Sequence, residues 1–409
     1  MSTEGLSGVL PWAQARHIAA TSAHPLPRSA ARLDEAVGAT LGADLVTLQD
    51  DPPSDSADVD GFAVCGPGPW LLDDLQRLAS GWAAPIRRGT AVPHHCDAVI
   101  AIARASVREN ARGQREVWMH DPLTDVPDER VRPDLGEGLA RVGARSQAGH
   151  RVLGAGRPVT PSTIALAAQQ GYDEITVVRP PVVGVLVLGS SLLDRGLPRN
   201  GRVRDALGAA VTSFVGELGA RGNPALRAPD TYDLLVGEID DANVDVLVTT
   251  GSTAPGPENH LRSALRDLNA RWLVDGVSVS PGAQMLLARL VDGRFLIGLP
   301  GDPCAALAGL VTLATPLIAS LRDDPAAGDP GRRSGILIED IVPADYADDT
   351  ALVPVRLEVS AAGTLAKPLA AAGAMGLSGW AAADAVAVVP PGAGYRGDVV
   401  ALLDPYGRS

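Results

Sequence analysis

The sequence predicts a multidomain α/β protein built around a doubly wound parallel sheet, and three observations carry that expectation. Three β-branched or aliphatic runs, VVGVLVLGSS (182–191), DVLVTTGS (245–252) and RFLIGLPG (294–301), end in small residues and are separated by helical patterns. Such runs read as strands buried on both faces, with helices between them. From Phe295 to Leu299 the last strand breaks at Pro300-Gly301, and Asp302-Pro303 then supplies an N-cap and a first-turn proline for a helix. At 409 residues the chain exceeds one ordinary core, which calls for roughly two to four domains.

In chain order, residues 1 to about 45 read as helical, with an Ala/Leu/Val pattern from Ala30 to Leu45. From Asp50 to His120 short strands and turns (GFAVCGPGPW, DAVIAIARASV, REVWMH) suggest a separate β-rich lobe. TPSTIALAAQQG (160–171) is a second helix with a glycine stop. The lobe is thus an insertion between helical segments. After Asp205, a helix places Leu207, Val211, Phe214 and Leu218 on one apolar face. A Pro/Gly/Asp linker, DDPAAGDPGRR (323–333), closes the α/β domain, and the alternating runs ALVPVRLEV and DAVAVVPPG suggest a small barrel or sandwich beyond it. The expected domains are therefore 1–45 with 145–180, 46–144, 181–325 and 326–409.

Composition narrows the function. Glycine (45) and proline (33) make about one residue in five, below the roughly 25–30% of disordered chains. A net charge of -13 without a basic cluster argues against nucleic acid or a membrane surface as main partner. Lys367 is the single lysine among 35 basic residues, so an anionic ligand would need local basic groups while positions that call for a lysine's compact ammonium are nearly all unfilled. Cys65, Cys96 and Cys304 form no CxxC pair and read as small buried thiols. The start lacks a basic region followed by a long apolar one, and no apolar run reaches about 18 residues without polar interruption, so a cytoplasmic, soluble protein is expected.

In open α/β sheets ligands bind at the carboxyl ends of strands. Gly189-Ser190-Ser191, the loop from Thr249 to Gly256 (Thr250, Gly251 and Ser252 among them) and Leu299 to Asp302 would therefore converge on one crevice. Their backbone N–H groups could hold an anion at helix N-termini, or their glycines could simply make tight turns. TTGSTAPG lacks the Gly-Lys-Ser/Thr ending of a P-loop and no GxGxxG follows a strand, which excludes those nucleotide chemistries. Asp55 and Asp60 flank a turn, and Asp205 can be the N-cap of its helix. His94-His95 has no third ligand nearby in sequence and reads as solvent-exposed.

Together these segments resemble the molybdopterin molybdenumtransferase family, called MoeA in bacteria and matching the E domain of gephyrin. The carriers are PPSDSADVDGFAV (52–64), GTAVPHHCDAVI (89–100), GRPVTPSTIALAAQQG (156–171), VLGSSL (187–192), TTGSTAPGPENH (249–260), SPGAQM (280–285) and LPGDP (299–303), in family order over nearly the whole chain. The resemblance implies a split elongated helical domain, an inserted β-rich lobe, a molybdopterin-binding α/β domain and a C-terminal β-barrel. It also implies a homodimer that inserts molybdate into adenylylated molybdopterin and releases AMP with magnesium, alongside other molybdenum cofactor biosynthesis proteins.

By the same resemblance Asp60 and Asp205 fall at acidic active-site positions, and Gly251, Pro281, Gly282, Pro300, Gly301 and Pro303 keep the loop framework. The charges depart from the family pattern. Gly189-Ser190-Ser191 stands for a Gly-Asp-Glu run, Asn259 for an aspartate, Arg145 for an acidic residue, and Ser280 and Ala283 for a lysine pair. Losing one charge-stabilising group typically costs about 10²- to 10³-fold in rate. Arg87, Arg88 and Arg262 are the candidate replacement cations. Two rivals are carried forward: a non-catalytic paralogue that binds or regulates the cofactor, and a nucleotide or sugar-phosphate binder on the same sheet.

Overall fold

The computed structural model describes residues 8–121, 123–229, 231–256, 259–324, 333–341, 348–361, 363–369 and 376–406. Most of the expected linker at 323–333 lies outside them. The chain divides into two compact units, Met1–Ala43 with Ala155–Ile164 and Glu174–Ser409, and Asp44–Gly154 with Ala165–Asp173.

In the larger unit, strands Val182–Leu188, Val246–Thr250 and Phe295–Leu299 lie side by side and parallel, as their unbroken apolar runs predict. The sheet is mixed, because Leu286–Arg289 joins Phe295–Leu299 antiparallel and carries Arg271–Asp275 outside it. Period-two alternation sorts its side chains. Val183, Val185, Val187, Val246, Val248, Phe295, Ile297 and Leu299 share one core with Val211 and Phe214 of helix Gly208–Glu217 and with Leu310 and Leu317. Leu186, Leu188, Leu247 and Leu296 face the other way, onto Leu235 and Ile239 of helix Tyr232–Asp241 and Leu261 and Leu265 of helix Leu261–Asp267. Each such aliphatic side chain stabilises the fold by about 1.5–3 kcal/mol, so both faces need their helices.

Asp302 caps the following helix as its sequence predicts, its Oδ1 accepting from the Ala305 N–H at 2.9 Å. The helix runs from Pro303 to Leu321 with a wider turn at Leu310–Ala314. Pro316, which has no N–H to give, follows that turn. Its 19 residues pass for a membrane span by length and composition, but it is 83% buried in the core. Trp12, on helix Trp12–Thr21, donates Nε1 to Thr312 Oγ1 at 3.0 Å.

Beyond it, Ser334–Leu337, Thr350–Ser360, Gly363–Pro368, Ala385–Val389 and Val399–Leu403 close into a five-stranded barrel, the last contact being Thr350–Ser360 with Ala385–Val389. Val277–Ser280 adds to it in parallel.

The expected helix over Ala30 to Leu45 does not form. Arg28–Arg32 pairs with Glu174–Val178, and Thr40–Leu41 pairs with the same strand's end. Gly38 has φ +86, and a Cβ on Gly42 would lie 3.2 Å from Val177 C. Glycine at both points breaks a helical run, and alanines follow whichever backbone their neighbours impose.

In the smaller unit, Ala105–Glu109, Arg115–Met119, Trp70–Leu72, Trp82–Ile86, Gly61–Cys65 and Ala98–Ala101 form a six-stranded sheet, the β-rich lobe expected. Helix Pro161–Gln169 ends as predicted, with Gly171 at φ +93. Cys65, Cys96 and Cys304 are half-buried and unbridged, more open than expected. Burial pushes the Cys96 thiol up to about 11.

Candidate functional site

The ends of the three parallel strands meet at Gly251. Its N–H donates to Leu299 O at 2.9 Å, a Cβ on it would lie 3.0 Å from Leu188 O, and a Cβ on Gly301 would lie 3.8 Å from its Cα. With φ +89, Gly251 occupies backbone space that a side chain would block. The turn Ser280-Pro281-Gly282 joins them from the chain's next pass. A Cβ on Gly282, at φ +110, would lie 3.0 Å from Ala305 O, in the first turn of the helix that Asp302 caps. Four of the predicted loops therefore gather around the start of helix Pro303–Leu321.

The polar groups of these loops fall into two sets. Ser190 and Ser191 are exposed, Ser252 is half-buried with φ 57, and Thr250 is buried. Gly189, at φ +147, turns the chain out of the first strand. Asn259 closes the glycine-rich loop by donating Nδ2 to Ala254 O at 2.9 Å. Pro300 is buried, while Gly301 and Asp302 are exposed.

Asp205 lies on the segment that follows Gly189-Ser190-Ser191, its N–H donating to Leu193 O at 3.0 Å, and its carboxylate is fully engaged. Oδ1 accepts from the Leu207 and Gly208 N–H groups at 2.9 and 3.0 Å, and Oδ2 accepts from Arg227 Nη2 and Nε at 2.6 and 3.2 Å. Its side chain is only 2% exposed. Burial opposes ionisation, but the Gly208 amide, Arg227 and the Leu207 amide outweigh it and hold the carboxyl below its ordinary range. Asp60 belongs to the other compact unit, where it is exposed and accepts from the Arg88 N–H at 2.8 Å. Nearby, the Val142 amide and Arg141 hold the Asp55 carboxyl below its usual range.

Of the candidate replacement cations, Arg262 is the one in the same compact unit, and it is engaged. Arg262 donates Nε to Thr253 O at 3.0 Å and pairs with Asp275, bracing the back of the glycine-rich loop. Arg145 pairs with Asp51 at 3.1 Å. Arg88 lies 3.8 Å from Asp58 with its side chain 70% exposed, and it belongs with Arg87 to the smaller unit. His94 and His95 are exposed. Sequence reasoning missed a different basic group, Arg195, Arg199, Arg202 and Arg204, on the exposed segment that follows Gly189-Ser190-Ser191. The Asn200-Gly201 pair, a strong turn signal, marks where it folds back.

A two-faced α/β domain whose loops gather at one capped helix is the class this site defines. Residues 184–320 match a family described as a probable molybdopterin binding domain, and residues 10–171 match the MoeA N-terminal region, domains I and II. The chain belongs to the MoeA family. It is 24% identical over 314 residues to a molybdopterin molybdenumtransferase of Staphylococcus aureus (strain COL), covering 72% of this chain and 71% of that one. To its namesake in Bacillus subtilis (strain 168) it is 27% identical over 308 residues, covering 70% and 69%. A crystal structure of a molybdopterin biosynthesis MoeA protein from Pyrococcus horikoshii superposes with TM-score 0.75 at 23% identity over 97% of this chain and 98% of that one, which establishes the shared fold.

Proposed function

We propose that this MoeA-family chain acts in molybdenum cofactor biosynthesis as a molybdopterin molybdenumtransferase, inserting molybdate into adenylylated molybdopterin with release of AMP. The observation that carries the reading is the convergence of Gly251, Gly282 and Gly301 around the head of one helix, with Leu188 O, one residue before Gly189, 3.0 Å from where a Cβ on Gly251 would lie, inside the segment matched to molybdopterin-binding domains. A close backbone approach there admits a flat ring, and the hydroxyls of Ser190 and Ser191 with the helix head favour an anionic one. The chain's own part in the reaction is to orient the ligand and meet its negative charge. The relatives' name, carried over about seven-tenths of both chains, does not favour a non-catalytic paralogue.

Magnesium, implied by the family resemblance, would be held mainly by oxygens of the ligand and by water, with one or two carboxylates of the chain at most. Among the described residues no group of three or more His, Cys, Asp or Glu could hold a metal, and Asp205 has both oxygens engaged. No step is assigned to it. The reading includes a cytoplasmic homodimer working with other cofactor-biosynthesis proteins. Size-exclusion chromatography with light scattering would read the dimer as twice 42.1 kDa. The function is tested by expressing the chain in cells that lack their own molybdopterin molybdenumtransferase. Restored activity of a molybdenum-dependent oxidoreductase is expected, and its absence despite soluble protein would overturn the reading.

A further inference from the structure

The segment after the first parallel strand holds two arginines side by side. Arg199 N–H donates to Arg202 O at 3.1 Å and Arg202 N–H to Arg199 O at 2.9 Å, across a tight turn in which Asn200 (φ 52) and Gly201 (φ 73) are both left-handed. Residues that exchange both bonds stand opposite each other on one face, where like charges repel. Asn-Gly is the preferred pair for such a turn, so the geometry is built into the sequence. Among the described residues no carboxylate pairs with either guanidinium. Asp194 is taken by Arg195 and Arg227, and Asp205 by Arg227. In a chain of net charge -13 this uncompensated pair is conspicuous.

Its position gives it a use. Val203 N–H donates to Ser191 O at 3.1 Å, and Leu192–Leu193 runs beside Val203–Arg204, so the segment returns to the ligand loop from which it left. Arg202 donates Nη2 to Leu192 O at 2.6 Å, which brings its guanidinium back beside Ser191.

We propose that Arg199 and Arg202, flanked by Arg195 and Arg204, grip a tetrahedral oxyanion at the mouth of the pterin crevice and replace the cationic role that Ser280 and Ala283 cannot fill. The assignment rests on the proposed function for the ligand's identity. Guanidinium forks match phosphate oxygens two at a time, and a bound anion relieves the repulsion between the paired arginines. The favoured occupant is a phosphoryl group of the adenylylated pterin. Molybdate is also a tetrahedral oxyanion, with two charges on one centre where each phosphoryl of the adenylylated link carries one.

The test is calorimetric titration of the full-length chain and its R199Q/R202Q variant with pyrophosphate and, separately, molybdate, at about 50 and 200 mM salt, with melting temperature as the folding control. Binding to the wild type that weakens about tenfold or more in the variant and has a shallower salt dependence there is expected, and the tighter probe names the group held. Equal binding to both proteins, or none to the wild type at millimolar concentration, overturns the grip. Molybdate-dependent AMP release with an unchanged KM in the variant would also overturn it while leaving the transferase standing. Arginine-dependent pyrophosphate binding without affinity for molybdopterin would uphold the grip and overturn the transferase.

Discussion

Replacing Asp205 with asparagine separates a structural carboxylate from a catalytic one. The substitution keeps the shape, so one oxygen can still accept from the Leu207 and Gly208 N–H groups, but the amide NH2 now faces the Arg227 guanidinium, donor against donor. A hydrogen bond to a charged group contributes about 1.5–3 kcal/mol. Arg227 is 37% exposed and keeps Asp194 at 3.0 Å, which places the loss at the lower end, about 1.5–2 kcal/mol. Thermal unfolding should therefore fall by about 2–3 °C. The acid limb gives a second readout. Because the folded carboxyl ionises below its ordinary value of 3.8, its contribution is complete above that pH and disappears as pH falls through the folded value. The gap between wild type and Asp205→Asn should accordingly be full near neutrality and close below about pH 4. An unchanged melting temperature and acid limb, with AMP release abolished, would refute the reasoning and make Asp205 a reacting group.

The remaining predictions concern the loops around it. Gly251→Ala places a Cβ 3.0 Å from Leu188 O at φ +89, so it should cost about 1–3 kcal/mol and weaken molybdopterin binding, read by thermal shift and fluorescence titration. Asp302→Ala removes the cap at Ala305 and should cost about 1 kcal/mol, recovered by Asp302→Asn; equal stability of both variants would contradict the capping role. Arg262→Ala should lower the melting temperature while leaving the salt dependence of ligand binding unchanged, because Asp275 already neutralises that cation. Cys96, pushed up to about 11 by burial, should alkylate at pH 8 far more slowly than a free thiol.

The sequence made some parts of this molecule readable for physical reasons and hid others. Val182–Leu188 and Phe295–Leu299 were legible because strands buried on both faces must be apolar throughout, and Asp302-Pro303 because cap chemistry is local. Ala30 to Leu45 was misread because alanine suits a helix or a strand, and pairing with Glu174–Val178, far along the chain, decides between them. The convergence of the ligand loops followed from strand order. The charges did not, because the partner of Asp205 is Arg227 and that of Arg262 is Asp275, neighbours only once the sheet has formed. The arginine turn carried a local signal in Asn200-Gly201, but its worth depends on where the strand before it ends.

The most direct test of the central claim is AMP release from adenylylated molybdopterin by the purified full-length chain, with and without molybdate. The account predicts release that depends on molybdate and that falls in Arg199→Gln/Arg202→Gln through a raised KM. No molybdate-dependent release from folded protein that binds the pterin would contradict it.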